Sequence, residues 1–311
     1  MDWLLRELPL DNPTGVASNG GIICVTGGAA QDRACNLFTS TDEGATWALR
    51  VLDTAPWQYS GGYMYGEGNF SSIAWNGSRF MAVGNSGSAW SADGINWTLN
   101  PLYASYSDAD GDSKGAYYLT CVAAGADGVF RGLRSLGDGG IASWTSGDGQ
   151  SLREATEFWQ YDFIFGPLAG ASGIYAAAYD RYTGENVFFS LPGGGSVAVP
   201  PELALLIPDP DALARYAQEW NLAVTVLPDG FYEYSTNVES AISHRYLPFA
   251  GEWEELTVTD GTDEVGFLLV ICSGTTPYAV GRTQGGKGYL AVGKSSQKDW
   301  FWTGCVGCLE S

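Results

Sequence analysis

The chain has 311 residues, a formal net charge of −20 with only 16% charged residues, and 43 Gly, 12 Trp, 17 Tyr and 13 Phe. Such acidity excludes capture of nucleic acid through phosphate contacts, which needs clustered Lys and Arg, and no apolar run is long enough to insert in a membrane as a helix. Turn formers and aromatic strand formers dominate over helix formers, which points to an all-β chain; without a Ser/Pro-rich, charged or low-complexity linker, residues 1–311 read as one domain.

In chain order, residues 3–9 of DWLLRELPL read as an outer strand that pairs with the C-terminal strands. Such closure removes an unpaired sheet edge, and DWFWTGC at 299–305 competes for the same role. The first ten residues carry three charges and no long apolar run, so no secretory signal is expected and synthesis is in a cytosol. GVASNG, GIICVTGG, ACNLFTSTDEG and ATWALRVL (15–52) then read as four successive strands. Residues 71–100 repeat that grammar, with a tight turn at Asn76–Gly77 between the first two strands. The one expected helix is PDPDALARYAQEW (208–220), with Asp caps and apolar spacing at Leu213, Tyr216 and Ala217, between the fourth and fifth units.

A turn motif recurs. STDEGATW (40–47) and SADGINW (91–97) share Ser40 and Ser91, Asp42 and Asp93, Gly44 and Gly94, Trp47 and Trp97. SGDGQSL (146–152) repeats Ser146, Asp148 and Gly149, with Leu152 in place of the Trp. Weaker echoes are SLPGGGSV (190–197), STNVESAI (235–242) and SSQKDWFW (295–302). Folding alone explains these residue types: the Asp carboxylate accepts backbone N–H groups, Gly takes φ > 0, and Trp packs a large apolar plate under the turn. The serines fall at 40, 91, 146, 190, 235 and 295. A period of roughly 50 residues points to a propeller or array. Six four-stranded blades are expected, with seven as the alternative because 201–265 reads ambiguously.

The S-x-D-(x)-G-x-x-W pattern resembles the Asp-box, or BNR repeat, of sialidase-like β-propellers. The resemblance implies the fold, and it places the box on the turn between the third and fourth strands of a blade, away from substrate. Sialidases also resemble one another in an Arg triad, a Tyr nucleophile with a Glu partner and an Asp acid/base, the first Arg sitting in an Arg-Ile-Pro motif ahead of the first box. Here only Arg6, in RELP, and Arg33, in DRAC, precede Ser40, and neither matches. A strongly negative chain also repels an anionic sugar. A non-catalytic propeller is therefore expected, with a glycan-active hydrolase of sialidase-like fold as the alternative. The short S-A-D-G-x-N-W turns are similar to those of propellers in tailed-bacteriophage virion proteins. That resemblance implies a tail or head appendage in the virion, which attaches to a host surface glycan or docks to other virion proteins.

The lone histidine, His244, lies on an expected strand with no Ser or Cys motif beside it and reads as structural. Cys24, Cys35, Cys121 and Cys272 read as small buried hydrophobes. Cys305 and Cys308 form a CxxC, which is half a zinc site or a terminal disulfide. Asp108, Asp110 and Asp112 alternate in SDADGDSKG, like the first half of a Ca2+ loop. Ser113 and Leu119 stand where such a loop needs Gly and a bidentate Glu, so a solvated acidic loop is the first reading and Ca2+ the second. The long insertions 55–70 and 101–118 belong on the face opposite the boxes. They carry Trp57, Tyr59, Tyr63, Tyr65, Tyr103 and Tyr106, the expected contacts to a glycan or protein partner. A third insertion, EFWQYDF (157–163), is expected to add Trp159 and Tyr161.

Overall fold

The computed structural model describes residues 2–28, 36–50, 70–84, 87–101, 118–136, 140–158, 161–170, 173–180, 182–183, 186–191, 196–197, 222–227, 230–235, 242–248, 252–273 and 276–294. Among them, six four-stranded antiparallel sheets form the blades. The first holds β2 (Asn12–Ser18), β3 (Ile23–Gly28), β4 (Asn36–Ser40) and β5 (Ala48–Leu49). The second holds β6 (Phe70–Trp75), β7 (Phe80–Gly84), β8 (Gly87–Ser91) and β9 (Thr98–Pro101). The third holds β10 (Tyr118–Ala124), β11 (Phe130–Leu136), β12 (Gly140–Ser146) and β13 (Arg153–Phe158). The fourth holds β14 (Tyr161–Gly170), β15 (Gly173–Asp180), β16 (Asn186–Leu191) and β17 (Ser196–Val197). The fifth holds β18 (Leu222–Leu227), β19 (Gly230–Ser235), β20 (His244–Pro248) and β21 (Glu254–Leu256).

The sixth blade takes strands from both ends of the described chain. Its order is β1 (Asp2–Glu7), β24 (Gly288–Lys294), β23 (Thr276–Thr283) and β22 (Val265–Ser273). β1 pairs antiparallel with β24 from Asp2 opposite Lys294 to Glu7 opposite Tyr289. The N-terminal strand is thus the outer strand that closes the ring, as expected; its competitor at 299–305 lies outside the described residues. Beyond β1 the chain crosses directly over Gly288, whose carbonyl accepts the Leu8 N–H at 2.9 Å. The Leu10 carbonyl occupies the space where a side chain at Gly288 would stand.

Strand alternation explains why these segments form blades. Neighbouring inner strands pack side by side, β22 against β2, β2 against β6, β6 against β10 and β10 against β14, with β18 against β22. The apolar core is distributed over the seams between blades. Val16, Ile23 and Val25 of blade one meet Leu269, Val280 and Leu290 of blade six. Ala17, Cys24 and Leu37 meet Phe70, Ile73 and Phe80 of blade two. Met81 and Val83 meet Leu119, Val122, Phe130 and Trp144 of blade three. Each inner strand β2, β6 and β10 carries a bulge near its start, at Thr14, Ser71 and Thr120. In the first two the extra residue turns a hydroxyl toward the next blade: Thr14 Oγ1 donates to the Phe70 carbonyl at 2.7 Å and Ser71 Oγ to the Thr120 carbonyl at 2.9 Å.

Three expectations are corrected or resolved. Among the described residues, the region 201–265 contributes one complete sheet and the ring has six blades rather than the alternative seven. Ser235 ends the second strand of blade five, and the echo STNVESAI is therefore out of register with the true boxes. Its third strand is β20, and the position of the box Trp is taken by Trp253, over which the Arg245 guanidinium stacks at 4.5 Å. EFWQYDF is not a long insertion: β13 runs to Phe158 and β14 begins at Tyr161, which leaves two positions between the strands. The expected helix at 208–220, and Cys35, Cys305 and Cys308, lie outside the described residues; Cys24 and Cys121 are buried.

Candidate functional site

The antiparallel order gives the ring two unlike faces. Turns between first and second strands and between third and fourth strands share one face. The remaining connections share the other.

The box face is built from local hydrogen bonds. In the second box Ser91 Oγ donates to Asp93 Oδ1 at 3.0 Å. The same carboxylate accepts the N–H groups of Ile95 and Asn96 at 2.9 and 2.7 Å and the Asn96 amide at 2.8 Å. Trp97 Nε1 donates to the Gly94 carbonyl at 3.0 Å. In the first box Asp42 accepts from Ser40 Oγ, Thr46 N and Thr46 Oγ1, and the extra residue, Glu43, takes a left-handed φ of 56°. In the third, Asp148 accepts from Ser146 Oγ and the N–H groups of Gln150 and Ser151. The Thr46 hydroxyl and N–H hold the Asp42 carboxyl down to about 2. The Asn96 N–H leads the same effect on Asp93, and the Ser151 N–H on Asp148. These carboxylates stay ionised because donors are fixed around them, as a turn requires.

Each box also docks on the preceding blade. Gly94 has φ +66°, and a Cβ there would stand 2.8 Å from Ile22 Cγ2 and 3.2 Å from Cys24 Sγ of blade one. Gly149 packs in the same way on Trp90 and Arg79 of blade two, and Gly44 on Leu290 and Arg6 of blade six. Thr39 Oγ1 and Arg79 Nη1 donate to the carbonyls of Gly94 and Asp148 across these seams, both at 2.6 Å. Trp47 and Trp97 join the seam cores, and Leu152 takes that place in the third copy. The docking residues Ile22, Arg79 and Trp90 went unnoticed in the sequence because nothing local relates them to a box one blade later. Asp93→Ala is expected to lower stability by about 1 kcal/mol, since the exposed N–H groups it satisfies regain water while the turn loosens. Urea unfolding measures that loss, and unchanged ligand binding by the folded fraction distinguishes a structural Asp from a binding one.

The opposite face receives the long connections. β5 ends at Leu49 and β6 starts at Phe70; β9 ends at Pro101 and β10 starts at Tyr118; β17 ends at Val197 and β18 starts at Leu222. All six of these strand ends lie on this one face. Trp57, Tyr59, Tyr63, Tyr65, Tyr103 and Tyr106, together with Asp108, Asp110, Asp112 and Trp159, lie outside the described residues. Among the described residues no group of three or more His, Cys, Asp or Glu could hold a metal ion. Where the face is described, blade six carries a closed polar network. Tyr289 donates its phenol to Asp260 Oδ2 at 2.5 Å, and Lys287 Nζ lies 2.9 Å from Glu7 Oε2. The Asp263 N–H leads in holding Asp260 at about 2. Tyr182, in the turn between β15 and β16, is 83% exposed on the same face.

His244 stands apart from both faces, within the seam between blades five and six, at 2% exposure. Its Nε2 is 2.8 Å from the Val265 carbonyl, and with that oxygen as acceptor the ring donates from Nε2. Among the described residues Nδ1 has no partner. Phe267 lies 4.7 Å and Tyr232 5.8 Å from the imidazole centroid. Burial drives its pKa from 6.5 down to about 4. Cation–π attraction to such rings is worth about 0.5–2 kcal/mol, less than the several kcal/mol that desolvating an imidazolium costs.

No protein-family model matches the sequence, and no curated protein matches it. In fold the chain is similar to the Hadza microbial sialidase Hz136, with a TM-score of 0.50 at 14% identity over 92% of this chain. It spans 65% of the length of that sialidase. SapL1 lectin, solved in complex with alpha methyl fucoside, gives 0.47 at 11% identity over 89% of this chain and 90% of the lectin. Aleuria aurantia lectin, a fungal six-bladed β-propeller, gives 0.46 at 9% identity over 98% and 97%. Identities this low speak for the fold alone: the protein is a six-bladed β-propeller, similar in architecture to a sialidase.

Proposed function

We propose that the chain is a non-catalytic binding propeller that recognises a surface glycan through its long-loop face. One observation carries the reading: the ends of all three long connections, 50–69, 102–117 and 198–221, lie on one face, while the box turns opposite are short and saturated. The first two connections bring Trp57, Tyr59, Tyr63, Tyr65, Tyr103 and Tyr106. Aromatic planes suit the C–H faces of sugars, and Tyr and Trp equally anchor protein contacts. Ordering long loops costs conformational entropy, so such loops in a compact ring go with binding. The virion setting belongs to this proposal through the S-A-D-G-x-N-W turns, with other virion proteins as the partners that hold the ring in a larger assembly.

The combined change of Trp57 and Tyr106 to Ala is expected to weaken attachment to host surface glycans at least ten-fold, with an unchanged unfolding curve. Glycan-array binding of wild type and variant, alongside copurification with particles, checks both parts. Undiminished binding by the folded variant overturns the assignment of the face. Turnover of a glycan by the isolated chain replaces the binding protein with the hydrolase alternative.

A further inference from the structure

We propose that the seam between blades five and six is an acid-opened joint latched by His244. The latch spans two blades: the ring sits on β20 and its Nε2–H donates to the carbonyl of Val265 on β22. A second bond crosses the same seam, from the Val270 N–H to the Tyr234 hydroxyl at 3.1 Å. Trp3 of the ring-closing strand packs edge-on against both Tyr232 and Phe267, at 5.4 and 5.0 Å between centroids. The histidine, the seam and the closure of the ring therefore share one apolar cluster.

Protonation adds an N–H at Nδ1, where no acceptor waits among the described residues, and a positive charge inside that cluster. Among the described residues, the groups around the ring offer no counter-charge. β19 presents Tyr232 and Tyr234, and β22 presents Val265 and Phe267. β1 presents Trp3, and β21 places Leu256 opposite His244 with exposed Glu254 two positions along. Glu233, Arg245 and Glu255 occupy the alternate register positions and pair among themselves, at 3.3 Å from Arg245 to Glu233 and 3.8 Å to Glu255. On the connection into β22, Asp263 and Glu264 are exposed. The depressed basicity of His244 agrees with this setting. Charging the ring is relieved by parting β20 from β22, which lets water reach Nδ1 and loosens Trp3 with β1.

The test is strand-resolved hydrogen exchange of the whole protein at pH 7 and pH 4, corrected for intrinsic rates. Peptides from β20, β22 and β1 are expected to gain about ten-fold in exchange, relative to β6 and β10, for each pH unit below the ordinary His pKa. Return to pH 7 is expected to reverse the gain. His244→Gln, which keeps an amide donor for Val265 and cannot charge, is expected to hold the neutral-pH ratio. Equal loosening of every seam, or the same local loosening in the variant, overturns the proposal. Should the variant fail to fold, the wild type still decides. It has one histidine, so its ring signals titrate without overlap in NMR. Titration well below 6.5 that coincides with seam exchange supports the joint; an ordinary titration without local exchange overturns it.

Discussion

Phe267→Ala is expected to remove about 3–5 kcal/mol of stability, more than any change at the surface of the ring. Phe267 is fully buried on the inner strand of the closing blade, with Trp3, His244 and Tyr232 around it at 5.0, 4.7 and 5.9 Å. The loss belongs at the upper end because the neighbours are rigid rings on three different strands. They cannot fold into the vacated space as a flexible Met or Leu would, and edge-on aromatic contacts vanish with the apolar burial. Urea unfolding of the variant against wild type gives the figure, with Tyr182→Ala as an exposed control within about 0.5 kcal/mol of zero. A loss below 1 kcal/mol would show that the cluster collapses freely and does not hold the closing strand.

Stability is expected to fall by about 3 kcal/mol as pH drops from 7 to 4, through His244. The folded pKa of about 4 lies below the unfolded value of 6.5, so the unfolded chain takes up the proton first. The contribution is complete above 6.5, declines through that window and is lost below about 4. The carboxylates of the boxes act lower. Asp42 titrates near 2 in the fold against 3.8 when free, so its contribution is present above 3.8 and disappears only as pH falls through 2. Urea unfolding at pH 7, 6, 5, 4, 3 and 2 separates the two windows. His244→Gln should flatten the upper one and leave the lower intact; an unchanged slope between 6.5 and 4 in that variant would assign the loss to other groups.

The box turns were legible in the sequence because their bonds are local. Ser, Asp, Gly and Trp act within eight residues, and the constraint on Gly94 or on the Asp93 carboxylate comes from the turn itself. The closing role of β1 was legible for a similar reason, since an alternating strand after a Trp is what a propeller lacks when its last blade ends one strand short. The echo at Ser235 misled because a hydroxyl and an acid occur in many turns. Without the Gly and the Trp, the pattern does not say which strand of a blade has just ended.

What the sequence by itself determined is the repeating unit: strand lengths, turn chemistry, the count of blades to within one, and the class of all-β ring. Tertiary structure decided how the units meet. Ile22 touching Gly94, Arg79 reaching Asp148, and Trp3, Tyr232, His244 and Phe267 sharing one seam all follow from the offset between neighbouring blades and from β1 pairing with β24 in blade six. The physical reason is range. Hydrogen bonds in a turn select residue types a few positions apart, whereas packing between blades asks only for apolar volume and shape. Many sequences satisfy that demand equally, so it leaves no pattern until the ring brings the partners together.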